Sequence, residues 1–309
     1  MYKSPLVNAV QNIFSIKDLE NLSGIKAHTI RIWEKRYALL QPQRTSTNIR
    51  TYKLSDLQKL LNVTFLLEHG YKISKIAKYK EEQIVELIKE RIASNTEPQN
   101  HQALNSFKIA MMNFDQQLFT RTFNSLLRAM SFKELFYQVL IPLLEEIGLL
   151  WQTKTIDPSH EHFMSNLIKQ KILLQIEHHE QEHTPDKSRV FILFLPENEI
   201  HDLGLLFLNY QLVNQGYKCI YLGQSIMIEN LKYLMLNQPN VNFVSYFTVM
   251  PKDVSITTYA HSFNKKLGND EVPFYIFGRK ALRENIQDLP SNVRILKSID
   301  TFIEDLSRL

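Results

Sequence analysis

Val190-Phe-Ile-Leu-Phe-Leu195-Pro196, followed shortly by Glu199-Ile-His201-Asp-Leu-Gly204, is the stretch around which the rest of the chain is organised. An apolar run closed by proline reads as a buried strand of a parallel sheet. Asp202 to Gln215 reads as the helix after it, so His201 falls on a loop at the carboxyl end of a strand. Open α/β sheets place their ligands there. An imidazole in that position can coordinate a metal through one nitrogen. Its other nitrogen then needs an orienting acceptor, and Glu199 is close enough to supply a carboxylate. Gly204 has no side chain, so a bulky group can approach the backbone. Taken alone, these residues also suit an ordinary loop histidine beside a glutamate.

Working outward from this stretch, strand-like runs recur at Lys218–Leu222, Asn242–Phe247, Pro273–Phe277 and Val293–Leu296. Helical stretches at 202–215, 226–237, 253–266, 279–287 and 299–308 alternate with them. The alternation predicts a doubly wound α/β domain with a parallel sheet. Ser245-Tyr-Phe247 then ends the third strand and Gly278 the fourth, on the same edge as His201. This set resembles cobalamin-binding modules, whose signature is acidic-x-His-x-x-Gly, then Ser-x-Leu, then Gly-Gly. The resemblance covers roughly residues 95–309. It implies that His201 ligates cobalt from below, displacing the dimethylbenzimidazole tail, which threads into the sheet. It also implies cofactor contacts from Glu199, Gly204, Ser245, Phe247 and Gly278. The chain departs from the pattern at Phe247, in place of a small aliphatic, and at Gly278-Arg279, in place of the double glycine. Arg279 would either block the tail or pair with its phosphate.

Four helical stretches fit residues 101–183: Leu104 to Met112, Asp115 to Met130, a helix opened by the capping-box pattern Ser131-Phe-Lys-Glu134, and one opened by Asp157-Pro158. Short joins between them predict an antiparallel four-helix bundle. Trp151 precedes Glu161-His162 by nine intervening residues, and His162, Ser165, Asn166 and Lys169 form a polar stripe on the last helix. The plain reading makes Trp151 core and Glu161 a residue suited to a helix start. The spacing is also similar to the Trp-x9-Glu-His element of CarH/LitR-type photoreceptors, MerR-like regulators that sense light with adenosylcobalamin. That resemblance implies that Trp151 packs on the adenosyl group and Glu161 contacts it. It gives His162 the upper cobalt position after photolysis.

Charge is divided unevenly. Residues 1–80 hold fourteen Lys/Arg against five Asp/Glu, a net +9, while the remainder holds twenty-two against twenty-seven, a net −5. A basic head on an acidic body points to nucleic acid at one end. In the head, Ile16, Leu19 and Leu22 have helical spacing behind Ser15 as a cap, Gly24 breaks the helix, and Ala27 to Leu39 forms a second. Two short helices with a glycine turn make a helix-turn-helix, whose second helix carries His28, Thr29, Arg31, Lys35 and Arg36. Gln41 to Tyr52 reads as a hairpin wing, Leu54 to Gly70 as a longer helix and Ile73 to Lys80 as a short one. With Thr-Ile-Arg-Ile-Trp-Glu-Lys-Arg-Tyr and the later Arg-Thr-Tyr, residues 13–80 resemble the DNA-binding domain of MerR-type regulators. DNA contacts are then expected from His28, Thr29, Arg31, Lys35, Arg36, Arg44, Arg50 and Tyr52. Glu81 to Ile92 offers only three turns of heptad-like spacing, and residues 93–100 read as a polar linker.

Composition removes several alternatives. The eight glycines are scattered singly, which excludes Gly-rich nucleotide-binding loops, and Cys219 is the only cysteine, which excludes intrachain disulfides and multi-thiolate metal sites. No apolar run approaches a membrane span, and Met1 to Asn12 lacks a signal-peptide core, so a cytoplasmic location is expected. The expectation is a multidomain α and α/β chain. It comprises a MerR-like winged helix-turn-helix (1–80), a short helix and linker (81–100), a four-helix bundle capping the cofactor (101–185) and a Rossmann-like cobalamin domain (186–309). Function follows as a non-enzymatic, DNA-binding regulator, a repressor by family precedent. It would bind operator DNA as a homo-oligomer, dimer or tetramer, and sense light through adenosylcobalamin between bundle and sheet. Two other readings remain open: a cobalamin-independent regulator whose degenerate fold binds a partner protein, and a corrinoid methyl carrier of a methyltransferase.

Overall fold

Helices begin where the chain supplies caps. Ser15 Oγ accepts the Asp18 N–H at 3.2 Å while the Asp18 carboxylate accepts the Ser15 N–H at 2.7 Å, and this reciprocal box opens α1 (Ile16–Ser23). Gly24, at φ 75°, closes it and frees the chain to turn into α2 (Ala27–Tyr37). A two-residue antiparallel ribbon follows, β1 (Gln43–Arg44) with β2 (Arg50–Thr51), then α3 (Leu54–Glu68) and α4 (Ile73–Ile76). Leu19, Leu22, Ile30, Trp33, Leu57 and Leu61 are buried, which is why the apolar spacing of these short helices suffices to hold them together. The structure, a computed structural model, describes residues 13–93, 97–182, 185–284 and 288–307. They fall into two compact units, Met1–Asn166 and Leu167–Leu309.

The first unit continues with α5 (Glu81–Ala93), α6 (Glu97–Asn113), α7 (Gln116–Leu127), α8 (Phe132–Leu135), α9 (Ile141–Gln152) and the start of α10 (Pro158–Glu182). One expectation is corrected here. Of the linker expected at 93–100, residues 94–96 lie outside the described residues, but Glu97 to Asn100 are the first turn of α6. Pro98 is compatible with that turn, because the first helical N–H groups have no intrahelical acceptor to lose. Between α8 and α9 the helix widens to a π turn over Phe136–Leu140, just before Pro142, whose missing N–H interrupts the regular ladder. Phe107, Phe119, Phe123, Phe132 and Phe136 make a chain of ring contacts through the core of this unit. Buried Lys108 on α6 joins bundle to head: its ammonium contacts Glu146 of α9 at 2.5 Å and donates to the Leu22 carbonyl at the end of α1 at 3.3 Å. Asn21 of α1 also donates to the hydroxyl of Thr155, in the joint before α10, at 2.7 Å.

The second unit is built on β3 (Asp186–Phe194), β4 (Tyr217–Gly223), β5 (Val241–Tyr246), β6 (Phe274–Phe277) and β7 (Val293–Ile295). All neighbours are parallel, in the order β4-β3-β5-β6-β7. This is the flavodoxin-like order, with its switch point between β3 and β5. The crossovers are α11 (Leu203–Asn214), a 3₁₀ turn leading into α12 (Leu231–Asn237), α13 (Ile256–Leu267) and α14 (Arg279–Arg283), and α15 (Ile299–Ser307) follows β7. Residues 285–287 of the helix expected to run to 287 lie outside the described residues. Ile192, Phe194, Phe243 and Phe274 face α13, while Phe191, Leu193, Val244 and Phe277 pack toward α11 and α15. Both faces of the sheet are therefore covered, as the continuous apolar runs require. Among the described residues no helix is long and apolar enough to cross a membrane.

Candidate functional site

The loop after β3 is fixed by a single carboxylate. Glu199 is fully buried, and its Oε1 lies 2.5 Å from Nδ1 of His201 while accepting the backbone N–H groups of Ile200 and His201. Its Oε2 accepts three more, from Thr248, Val249 and Met250 in the loop after β5, at 3.2, 2.7 and 2.9 Å. Burial alone would raise the carboxyl pKa. The bonds from His201 and from the Val249 and Met250 amides overcome it and hold the pKa down to about 2. Glu199 is thus an anion that ties two strand-end loops together across the switch point and fixes the imidazole by its Nδ1 side. The His201 side chain itself is about half exposed. Asp202, next in sequence, makes an ion pair with Lys169 of α10, which anchors the start of α11.

The other sheet residues singled out from sequence gather at the same edge. Ser245 is fully buried, and its hydroxyl has no hydrogen-bond partner among the described residues. Gly278 has φ 105°, and a Cβ there would lie 2.2 Å from the Phe247 carbonyl oxygen, so only glycine fits this close chain crossing. Two expectations are corrected. Phe247 is fully buried in the core facing α13, edge-on to Tyr259, so its ring is a packing element and not a cofactor contact. Gly204 does permit a close approach, but the group that approaches is the ring of Tyr246: a Cβ at Gly204 would lie 2.7 Å from its Cζ. Tyr246 had no part in the sequence pattern, since the signature leaves that position open.

In the first unit, Trp151 at the end of α9 is exposed to 53%, which overturns the plain reading of it as core. Glu161 and His162 sit in the first turns of α10, with Glu161 Oε2 3.0 Å from Nδ1 of His162 and the imidazole largely exposed. Ser165 and Asn166 both donate back to the His162 carbonyl.

In the head, α2 exposes His28, Arg31, Lys35 and Arg36, with Thr29 partly covered, and Arg44 projects from the wing while bonding to Asn48. The second wing strand and Tyr52 just after it behave differently from expectation. Tyr52 is only 1% exposed, and its hydroxyl bonds to Glu34 at 2.5 Å. Burial, then that bond, pushes its pKa upward. Arg50 Nε pairs with the same carboxylate at 3.0 Å. Glu34 thus straps wing to α2, and Tyr52 belongs to the scaffold rather than to a DNA-contacting surface.

Comparison with known proteins accords with both halves of this arrangement. Residues 14–83 match the family model for MerR HTH family regulatory proteins, and residues 103–174 match that for the B12 binding domain. The HTH-type transcriptional repressor CarH of Myxococcus xanthus is 27% identical over 226 residues, 72% of this chain and 74% of that protein. The repressor CarA of the same organism is 27% identical over 211 residues, 67% of each chain. Among solved structures, the monomethylamine corrinoid protein of Methanosarcina barkeri superposes with a TM-score of 0.54 at 14% identity, over 68% of this chain and 99% of that one. That likeness concerns the fold alone. The chain thus joins a segment matching MerR HTH regulatory proteins to one matching the B12 binding domain, and it is homologous to the transcriptional repressors CarH and CarA.

Proposed function

We propose that this protein is a cobalamin-dependent DNA-binding regulator that senses light through adenosylcobalamin and acts as a repressor in its dark, oligomeric state. The observation that carries the reading is the buried Glu199 carboxylate set on Nδ1 of His201. A carboxylate in that position fixes ring orientation and raises the basicity of Nε2, as it does for metal-bound histidines. The donor set suits cobalt, and the orphaned Ser245 hydroxyl is a buried polar atom that a ligand could satisfy. His201 takes the role of lower ligand, Trp151 and Glu161 that of adenosyl recognition, and His162 that of upper ligand after light. When bound, adenosylcobalamin supplies a light-labile cobalt–carbon bond. The chain contributes the pre-set imidazole, a basic α2 for the DNA and a bundle wired to the head through Lys108 and Asn21. Regulation then follows as a shift between two oligomeric populations with different DNA affinity.

The test is to load the purified protein with adenosylcobalamin in darkness and record absorbance, sedimentation and operator binding before and after green light. The reading expects a His201-dependent base-off spectrum in darkness and changes in all three measurements on illumination. Uptake without any light-induced change would remove the photoreceptor role. No uptake at all would favour the second reading, a cobalamin-independent regulator that binds a partner protein, for which the Tyr246 ring packed on Gly204 is the supporting observation.

A further inference from the structure

We propose that Tyr246 is a built-in plug of the space a displaced lower base would need, so that this protein prefers corrinoids without a nucleotide tail. The proposal rests on the reading of His201 as a cobalt ligand and ranks the corrinoids that site binds, with adenosylcobalamin still bound but less tightly than its tail-less counterpart.

The argument begins from coordination chemistry. Complete cobalamin carries a benzimidazole tethered to the lower face of the corrin, and cobalt has one lower position. A histidine that takes this position forces the base off the metal, and the tether keeps the base on the histidine's side of the ring. A flat aromatic group then has to be housed near the His201 loop or left in water. The backbone offers a bare approach three residues beyond His201, at Gly204 in the first turn of α11. That approach is taken. A Cβ at Gly204 would meet Cζ, Cε1 and Cε2 of Tyr246 at 2.7, 2.9 and 3.0 Å, so the tyrosine ring already lies flush against the glycine. The ring also lies nearly parallel to that of Phe277, at 6° and 6.5 Å between centroids. Burial raises the pKa of its hydroxyl, consistent with a ring enclosed rather than lying on the surface.

Tyr246 therefore occupies, as a side chain, the volume that an aromatic base would claim beside Gly204. Beyond the ring lies a cavity of about 360 Å³ lined also by Phe277, Gly278 and the cations Arg279, Arg283 and Lys297. A tail lying against Gly204 would have to displace the Tyr246 ring. Cobinamide has the same corrin, amides and cobalt but no nucleotide, and can meet His201 with Tyr246 in place.

The experiment titrates the full-length protein in darkness with diaquacobinamide and with aquacobalamin, following the cobalt absorbance. Displacing the base costs cobalamin affinity in any protein, so the informative quantity is the change in the ratio of the two dissociation constants on mutation. Wild type should bind cobinamide at least about tenfold more tightly. Tyr246→Ser should narrow the ratio by about tenfold through stronger cobalamin binding, and Tyr246→Phe, which keeps the ring, should leave it as in wild type. Cobalamin binding to wild type as tightly as cobinamide would overturn the proposal without any variant. So would an unchanged ratio in a Tyr246→Ser protein whose thermal unfolding is cooperative. If neither corrinoid gives a spectrum that His201→Ala abolishes, the cobalamin reading itself fails, and the plug with it. That result is distinct from binding with the wrong preference.

Discussion

Oε1 of Glu199 lies 2.5 Å from Nδ1 of His201, while Oε2 of the same carboxylate binds backbone amides some fifty residues further along the chain. One buried anion therefore does two things at the switch point of the sheet: it orients the imidazole and it clamps the loop after β5 to the loop after β3. The clamp makes the imidazole's position a property of the sheet and not of one mobile loop, and such second partners of a metal-binding histidine strongly influence affinity.

The carboxyl of Glu199 titrates lower in the folded chain, near 2, than its ordinary value of 4.5. A depressed pKa contributes stability that is fully present above about pH 4.5 and is lost as pH falls toward 2. Glu199→Gln keeps the shape but not the charge. Urea unfolding should show the variant less stable at pH 7, with the gap to wild type narrowing below pH 4. Corrinoid affinity at pH 7 should fall about 10–100-fold. A constant gap across that pH range would rule out the linkage.

His201→Ala removes the proposed ligating atom and leaves Glu199 its five backbone donors. The protein should fold with near-wild-type stability yet lose the base-off signature and bind any corrinoid weakly. Absorbance after loading, compared with circular dichroism of the same sample, separates the two effects. A wild-type spectrum would return His201 to the status of a loop residue.

Arg31 and Arg36 are exposed on α2. Each alanine variant should lose about 1–3 kcal/mol of operator affinity if the side chain meets a base, or lower the salt slope by about one if it meets phosphate. Arg50→Ala should behave differently, because Arg50 is tied to Glu34: wing stability should drop by about 1–3 kcal/mol along with DNA affinity. Fluorescence anisotropy across a salt series, with thermal melts of each variant, distinguishes contact from scaffold. Parent-like binding by Arg36→Ala would remove α2 from the interface.

Lys108→Met replaces the ammonium that bridges Glu146 and the Leu22 carbonyl with an apolar chain of similar length. The change should destabilise the first unit by about 1–3 kcal/mol and speed amide exchange at the end of α1. Unaltered exchange at Leu22 to Gly24 would show that the bundle does not restrain the head through this contact.

His162→Ala should still load adenosylcobalamin and bind DNA in darkness, because its proposed role begins only after light. Its illuminated spectrum should lack the bis-histidine product. Trp151→Ala should instead weaken discrimination for the adenosyl group before any light. The same photoproduct in His162→Ala and wild type would overturn the upper-ligand role.

Much of the architecture follows from interactions that act over a few residues, and these are legible in the chain itself. The N-cap at Ser15, the capping box at Ser131, the glycine that stops α1 and the five apolar runs that became β3 to β7 depend on local hydrogen bonding and periodicity. So does the location of His201 after a strand. Local rules were less decisive at residues 97–100, where a polar stretch beginning Glu-Pro suits both a linker and a first helical turn. Contacts that depend on strand order could not be read this way. Glu199 meets Val249 because β3 and β5 are neighbours, Tyr246 covers Gly204 because α11 crosses the end of β5, and Tyr52 is buried because the wing folds onto Glu34. Each joins residues between eighteen and fifty positions apart, where no periodicity links them. The chain thus announces a histidine at the carboxyl edge of a parallel sheet. Which ring occupies the space beside Gly204 is decided only when the sheet brings its strands together.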